Sequence, residues 1–469
     1  MTVSTVHPDY AKAMPDWEFM DYALGGERCV KEQGEKLLPK SQGMIMAEEV
    51  DPKNKCIYEA FKQRAEYPEW VRDSKRAMIG LVSKLEPDIN IVDSRLKPLI
   101  EQATTDGFGL KQLFLRVVEA QLSYARCALM LDFDDSGKPY IALYWAKDGI
   151  NWKEKTVAGR TDLTLSVFKE AHDNSEDEFA HNKECFYRAL DINDGKYRSR
   201  LFADDNTVIE ETYPGLGNKT LSFIPVVYIG SMNNTPSIDE MPLMTMAKAA
   251  IKYYQLSAEY FQELHLTSHP QPWVSGVDED KPLRVTGPMA AWQLPQGGQC
   301  GYLEIQGVGI EAKRTAMRDQ KNAALEAGAR VMDIGGAESG EARKARQDDQ
   351  YSTLYGMVIT AAEAIEQVIK YGALWLGLND KDYRFNVKPD FGSLGFDVNL
   401  AKQLYEAVLG NKISMETYWD YIRTGKIPDI EYSQELERIE TEMTNSPMTG
   451  YVAGVTNTNG NSDVTTGAT

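Results

Sequence analysis

"DIGGAESGEARKARQDDQ", Asp333 to Gln350, is the stretch on which the fold turns. A glycine-rich turn that opens a helix is how a nucleotide-binding loop begins, and such a loop follows a buried strand. Its form is G-x-x-x-x-G-K-[ST]. Gly335 and Gly340 have that separation, but Glu341 and Ala342 stand where the phosphate-pairing lysine and the magnesium-binding hydroxyl are required. The residues before Asp333 carry a helical period up to Met332, so no strand leads in. Glu338 and Glu341 would also meet an incoming phosphate with like charge. The stretch therefore reads as a loop between two helices: Ser339 suits a helix N-cap and Glu341 suits the dipole of the helix that follows. Arg343, Lys344 and Arg346, in the opening turns, oppose that dipole by about 0.3–1 kcal/mol each, which implies compensation from outside the helix.

Upstream, Ile310 to Met332 is expected as a helix with Ala312, Ala316, Ala323 and Ala327 as a narrow inner stripe that permits close backbone approach. Arg314, Arg318 and Lys321 share another face. The bland reading of that face is a solvated surface of i,i+4 pairs, and the functional reading is a sparse set of phosphate contacts. Before it, residues 270–309 are punctuated by Pro and Gly, and "PLRVTG", "AAWQLP" and "GYLEIQ" look like brief strands. Earlier still, Met246, Ala250, Tyr253, Ser257, Tyr260 and Leu264 fall at three- and four-residue steps of one helix that stops before Pro270. Downstream of the loop comes a helix of about 35 residues with Leu354, Val358, Ala361, Ile365, Val368 and Trp375 as its stripe, at about 1.5 Å per residue. Gly356 inside it is a candidate bend.

The first 125 or so residues read as mainly helical. From about residue 127 the period becomes that of strands, with hairpin turns at Asp135-Ser136-Gly137-Lys138 and at Asn193-Asp194-Gly195, closing with "LSFIPVVYIG". A small helical unit spans about 398–443. The end, from residue 444, is rich in Gly, Thr and Asn and is expected to be a mobile tail. The fold class is α+β.

Composition narrows the chemistry. The chain has 469 residues and a formal charge of -19 from 51 Lys+Arg against 70 Asp+Glu, which opposes non-specific adhesion to nucleic acid or an anionic membrane. Five scattered cysteines with no CxxC pair indicate neither a disulfide framework nor a zinc site. No apolar run reaches the roughly 20 residues of a membrane span, so a soluble, unexported protein is expected. Asp132, Asp134 and Ser136 stand in calcium-loop register, but Leu143 occupies the position of the bidentate glutamate, and a hairpin turn explains them better. His265 and His269 have the spacing of H-E-x-x-H without its glutamate. No nucleophile with a base beside it is found; neither an enzyme nor a cofactor is expected.

The order of these parts resembles the portal proteins of tailed bacteriophages. "IPVVYIGSMNN" resembles the "P-V-[VI]-x-[FY]-x-N-N" passage of long-tailed-phage portals, and "GNKISMETYWDYIRTGKIPDIEYSQELERIETEM" resembles their crown. "HPDYAKAMPDWEFMDYALGGERCVKEQGEKLLPK" resembles a group of portal-like phage proteins first catalogued as of unknown function. The resemblance implies a helical and β-hairpin wing over 1–237, a first stem helix over 238–266 and a clip over 267–309. It then implies a second stem helix over 310–332, a tunnel loop over 333–342, a long bent wing helix and return over 343–397, a crown over 398–443 and a tail over 444–469. It also implies a ring, usually of twelve copies, at one capsid vertex of the virion, assembled in the host cytoplasm. Double-stranded DNA would pass through it in packaging and ejection. The terminase large subunit and then a head-to-tail adaptor would dock on the clip, where Trp273, Trp292 and Tyr302 are candidates, with major capsid and scaffold proteins around the ring. Ile334, Gly335, Gly336, Ala337, Glu338, Ser339, Gly340 and Glu341 would project into the bore, and Arg314, Arg318, Lys321, Arg343, Lys344 and Arg346 are the candidate DNA contacts. The alternatives are a packaging or remodelling ATPase, which would turn over nucleotide alone, and another head component such as an adaptor or scaffold.

Overall fold

The structure is a computed structural model. It describes the chain apart from residues 1, 135, 158, 174–178, 180–182, 217–218, 269–270, 277–295, 304–307, 329–339, 390–397, 411, 425–426, 429 and 446–469. Helix and sheet are mixed, and the fold is α+β, as the sequence indicates. Two compact units divide it, Met1–Pro389 and Asp390–Thr469.

The first unit opens with helices α1 (Pro8–Glu32), α2 (Gln42–Val50), α3 (Lys55–Arg64) and α4 (Trp70–Val82), then a short strand β1 (Asp88–Asn90) and helix α5 (Leu110–Tyr124). Pro8 and a His7 side chain that accepts from the Asp9 amide start α1. Gly26 breaks it at φ 82°, and there the Glu69 carboxylate accepts the Glu27 N–H at 3.1 Å, capping the restarted helix from a distance. In α5, Leu110, Leu113, Phe114, Val117, Val118 and Leu122 are buried, and Ala125 in the left-handed region ends it. The strand period begins at the next residue, close to the expected change at 127.

Ten strands follow: β2 (Arg126–Phe133), β3 (Pro139–Trp145), β4 (Gly149–Val157), β5 (Arg160–Asp173), β6 (Lys183–Asn193), β7 (Lys196–Ala203), β8 (Val208–Thr212), β9 (Gly215–Leu216), β10 (Lys219–Thr220) and β11 (Val226–Gly230). They form a three-stranded sheet in the order β11-β2-β3, a five-stranded meander β4-β5-β6-β7-β8 and a small β9–β10 ladder, all antiparallel. Both expected hairpins are present. The Asp134 carboxylate accepts from the amides of Ser136 and Lys138, at 2.9 and 2.8 Å, so it serves the turn. Asp194 and Gly195 take φ 49° and 75° between the paired Asn193 and Lys196, a two-residue turn. At the head of β2, the guanidinium of buried Arg126 lies 3.9 Å from the Trp152 ring and 4.8 Å from that of Tyr228.

Then come helix α6 (Met244–Thr267), strands β12 (Gln271–Ser275) and β13 (Gln299–Leu303), helices α7 (Val308–Glu326) and α8 (Gly340–Trp375), and strand β14 (Arg384–Asn386), which pairs back onto β1. The whole expected stripe of α8, from Leu354 to Trp375, is buried. Gly372 lets it approach the sheet, since a Cβ there would stand 3.0 Å from Leu131 and 3.1 Å from Leu96. The helix is continuous through Gly356, the candidate bend, where a Cβ would meet open space.

Several boundaries and two faces differ from the sequence expectations. Where a helix is expected from 238, α6 starts at Met244: the Asp239 carboxylate accepts the amides of Met232 and Asn233 and holds 231–240 as a loop. α7 runs from Val308, two residues before the expected 310, to Glu326, well short of 332: Gly328, at φ 117°, supplies the left-handed turn that terminates helices. The last helix of the second unit runs to Asn445, past the expected end at 443. On α7 the buried residues are Met317 and Ala324, whereas Ala312 and Ala323 of the expected inner stripe are exposed. On α6 the buried tyrosine is Tyr254, while Tyr253 is half-buried against Trp70 at 5.1 Å. β1, β12 and β14 had no counterpart in the sequence reading, and "PLRVTG" and "AAWQLP" lie outside the described residues.

The second unit holds α9 (Val398–Leu409), α10 (Met415–Thr424) and α11 (Tyr432–Asn445). Glutamates of α11 cap α10: Glu435 accepts from the Ser414 amide at 2.6 Å and Glu442 from the amides of Met415 and Glu416 at 2.7 and 3.0 Å.

Candidate functional site

The strongest candidate is the hairpin formed by α6, the β12–β13 insert and α7. Its two helices are antiparallel. Near the insert, Lys313 reaches back to Glu263 at 2.8 Å and Glu259 at 3.9 Å, and a Cβ on Gly309 would stand 3.0 Å from the Glu263 carboxylate. At the far end, Glu326, Ala327 and Gly328 line the same cleft as Leu243 and Thr245. The cleft is about 450 Å³.

The two helices have different surroundings. α6 is the anchor, with Met246, Ala247, Ala250, Ile251, Tyr254, Ser257 and Ala258 buried. The Ser257 hydroxyl accepts the Glu66 amide at 2.9 Å and donates to the Glu66 carbonyl at 3.0 Å, which stitches α6 to the connection between α3 and α4. α7 is mostly exposed. Arg314, Arg318 and Lys321 sit on one open face, at i, i+4 and i+7, with Glu311, Asp319 and Glu326 also exposed around the helix. Arg314 lies 3.8 Å from Glu311 and is 72% exposed, so that pair contributes little stability. Alternating charge of this kind offers a polyanion brief contacts rather than a grip.

Gly340 and Glu341, expected in the loop over 333–342, instead belong to α8, which Gly340 opens and whose first turn holds Glu341. Arg343, Lys344 and Arg346 follow within the helix, their side chains outside the described set. Ile334, Gly335, Gly336, Ala337, Glu338 and Ser339 lie outside the described residues. In the insert, Trp273 opposes Gly301 and Tyr302 opposes Pro272 in an antiparallel ladder. The Trp273 indole nitrogen is 3.0 Å from where a Gly301 Cβ would stand, and the two rings are 42% and 63% exposed. Exposed aromatics on a short ladder are suited to contact with another protein. Trp292 lies outside the described residues.

Sequence reasoning missed the joint at the root of the hairpin. Gly230 packs against Asp239 and the Asn233 carbonyl so closely that no Cβ fits. Gln121 donates to the Gly230 carbonyl and the Thr360 hydroxyl, at 2.7 and 2.8 Å, and Asn234 donates to the Thr360 carbonyl at 3.0 Å. The "IPVVYIGSMNN" passage is thus the clasp between sheet, α5 and α8, and its Gly and second Asn were the available signal. Among the described residues no group of three His, Cys, Asp or Glu is placed to hold a metal, and no helix is long and apolar enough to cross a membrane. His265 is exposed near the end of α6, and His269 lies outside the described residues.

A family model described as "Domain of unknown function (DUF4055)" matches residues 242–376, from the root of α6 to the end of α8. No curated protein matches the chain. Among solved structures, a chain of the "Neck of empty GTA particle computed with C6 symmetry" is 13% identical with a TM-score of 0.41, over 76% of this chain and 89% of that one. A chain of the "Neck of native GTA particle computed with C12 symmetry" is also 13% identical with a TM-score of 0.41, over 79% of this chain and 89% of that one.

Proposed function

We propose that this chain is a portal-type subunit: copies form a ring at one vertex of a phage-like capsid, and genomic duplex passes through the bore. The observation that carries the proposal is the asymmetric hairpin. α6 is built into the body, α7 offers an open, sparsely charged face, the insert presents aromatic side chains, and α8 returns as a spine of 36 residues. That arrangement suits a channel wall with a docking tip. A chain charge of -19, repeated around a ring, repels the phosphate backbone, and the cations of α7 supply weak contacts that exchange rapidly. The role is architectural, with the motor's nucleotide chemistry on a separate terminase and an adaptor taking its place on the insert later.

Electron microscopy of the purified full-length protein tests this. Ring-shaped particles with a central hole wide enough for duplex DNA are expected. A monomer at every concentration and salt, or ATP turnover by the protein alone, overturns the proposal.

A further inference from the structure

Among the described residues the five-stranded meander has two open edges. At one end β8 pairs, among the described residues, with β7 alone, and all five of its residues are exposed, including Val208 at 46% and Ile209 at 53%. At the other end β4 is covered, among the described residues, in its first half. His7 donates its amide to the Ile150 carbonyl at 2.9 Å, and the Asn151 side chain donates to the Thr5 carbonyl at 2.8 Å. From Lys153 to Thr156 the strand is exposed. Proteins ordinarily blunt or cover such edges, because unpaired backbone groups are a template for another strand.

The edges differ in charge. β8 carries Glu210 and Glu211, the latter 3.6 Å from Arg198, and the open half of β4 carries Lys153 and Lys155 around a single Glu154. The register Asn151–Val167–Ala189–Arg200–Glu211 runs across the sheet, so Glu211 shares a face with Asn151 and, by alternation, with both lysines. A β8-to-β8 contact would set glutamates against glutamates. A β8-to-β4 contact sets Glu211 on the face that carries Lys153 and Lys155. In a five-stranded meander the first and fifth strands run the same way, so the joined strands would be parallel and need no turn.

We propose that β8 of one copy adds as a strand beside the Lys153–Thr156 half of β4 in a second copy, joining the sheets head to tail. This rests on the ring reading above and deepens it: the contact uses a different patch on each partner, the kind that generates a closed ring when the rotation closes.

A double-cysteine variant of the full-length chain, Lys155→Cys with Glu211→Cys, which share a face, tests the pairing. The two edges are four strand spacings apart, about 19 Å at about 4.8 Å each, beyond the roughly 7 Å Cα separation that a disulfide within one chain can span. Oxidation is expected to give a ladder of covalent multimers that reductant collapses, well above the background set by exposed Cys56 and Cys300 in the unmutated protein and in either single variant. Reversing the facing charge of β8 (Glu211→Lys) is expected to lower the ring fraction severalfold, and adding Lys153→Glu with Lys155→Glu to restore it. If the unmutated protein forms rings while the double-cysteine variant gives no ladder and the reversed β8 assembles normally, the strand pairing is overturned and the ring reading stands. A protein that never forms rings overturns both.

Discussion

Two glycines with opposite surroundings show how single residues are constrained here. A methyl group on Gly230 would run into the Asp239 carboxylate and the Asn233 carbonyl, and the latter is backbone that cannot swing aside. Gly230→Ala is expected to cost about 1–3 kcal/mol, as overpacking does. At Gly356 a methyl group meets open space within a continuous helix, so Gly356→Ala is expected to gain up to about 1 kcal/mol. Urea denaturation of the two variants, compared at their midpoints, checks both signs. The sequence marks the two positions alike; only the neighbours 230 acquires on folding separate them.

Elements raise the question of which face is buried. α8 was legible because Leu, Val, Ile and Trp recur at helical steps and their burial leaves one solution. α7 was not, because alanine gains little from burial and sits almost as well in water, so a stripe of it does not say which way the helix turns. Met317 and Ala324 face the body. Ala324→Arg is therefore expected to lower the thermal midpoint by several degrees, in line with a loss of about 2–3 kcal/mol, and Ala323→Arg to stay within about 0.5 kcal/mol of the unmutated chain. A reversed order would mean the helix sits the other way round. In the second unit the cap on α10 makes a pH prediction. Burial alone would raise the Glu435 pKa, but the Ser414 amide, the Thr417 and Ser414 hydroxyls and nearby Arg438 outweigh it and hold the carboxyl below its ordinary value. A depressed folded pKa contributes stability that is present above the unfolded carboxylate's value of about 4.3 and lost as pH falls through the folded one. Melting followed through Trp419 fluorescence should shift to lower temperature as pH falls below about 4, and part of that shift should disappear in Glu435→Gln.

At the scale of the whole molecule, the open face of α7 is where the proposed function can be separated from stability. Arg314, Arg318 and Lys321 are exposed, so reversing all three to glutamate leaves folding and ring formation within reach of the unmutated protein. Loss of about three weak phosphate contacts should nonetheless reduce DNA retention, most visibly at low salt. Filter-binding of duplex to purified rings across a salt series measures it; identical retention at every salt would show that these cations do not meet DNA. The sequence by itself determined what is local: where the period changes from helix to strand near residue 126, the hairpins at Asp134–Lys138 and Asn193–Lys196, and the buried stripe of α8, since turn chemistry and strong apolar periodicity act between near neighbours. Tertiary structure alone decided the rest: the orientation of an alanine-rich helix, the Gly230 clasp, the pairing of β1 with β14 across nearly 300 residues, and two sheet edges left open with opposite charge. Those features depend on which distant groups meet, and no short-range pattern records a contact that exists only once the chain has closed on itself.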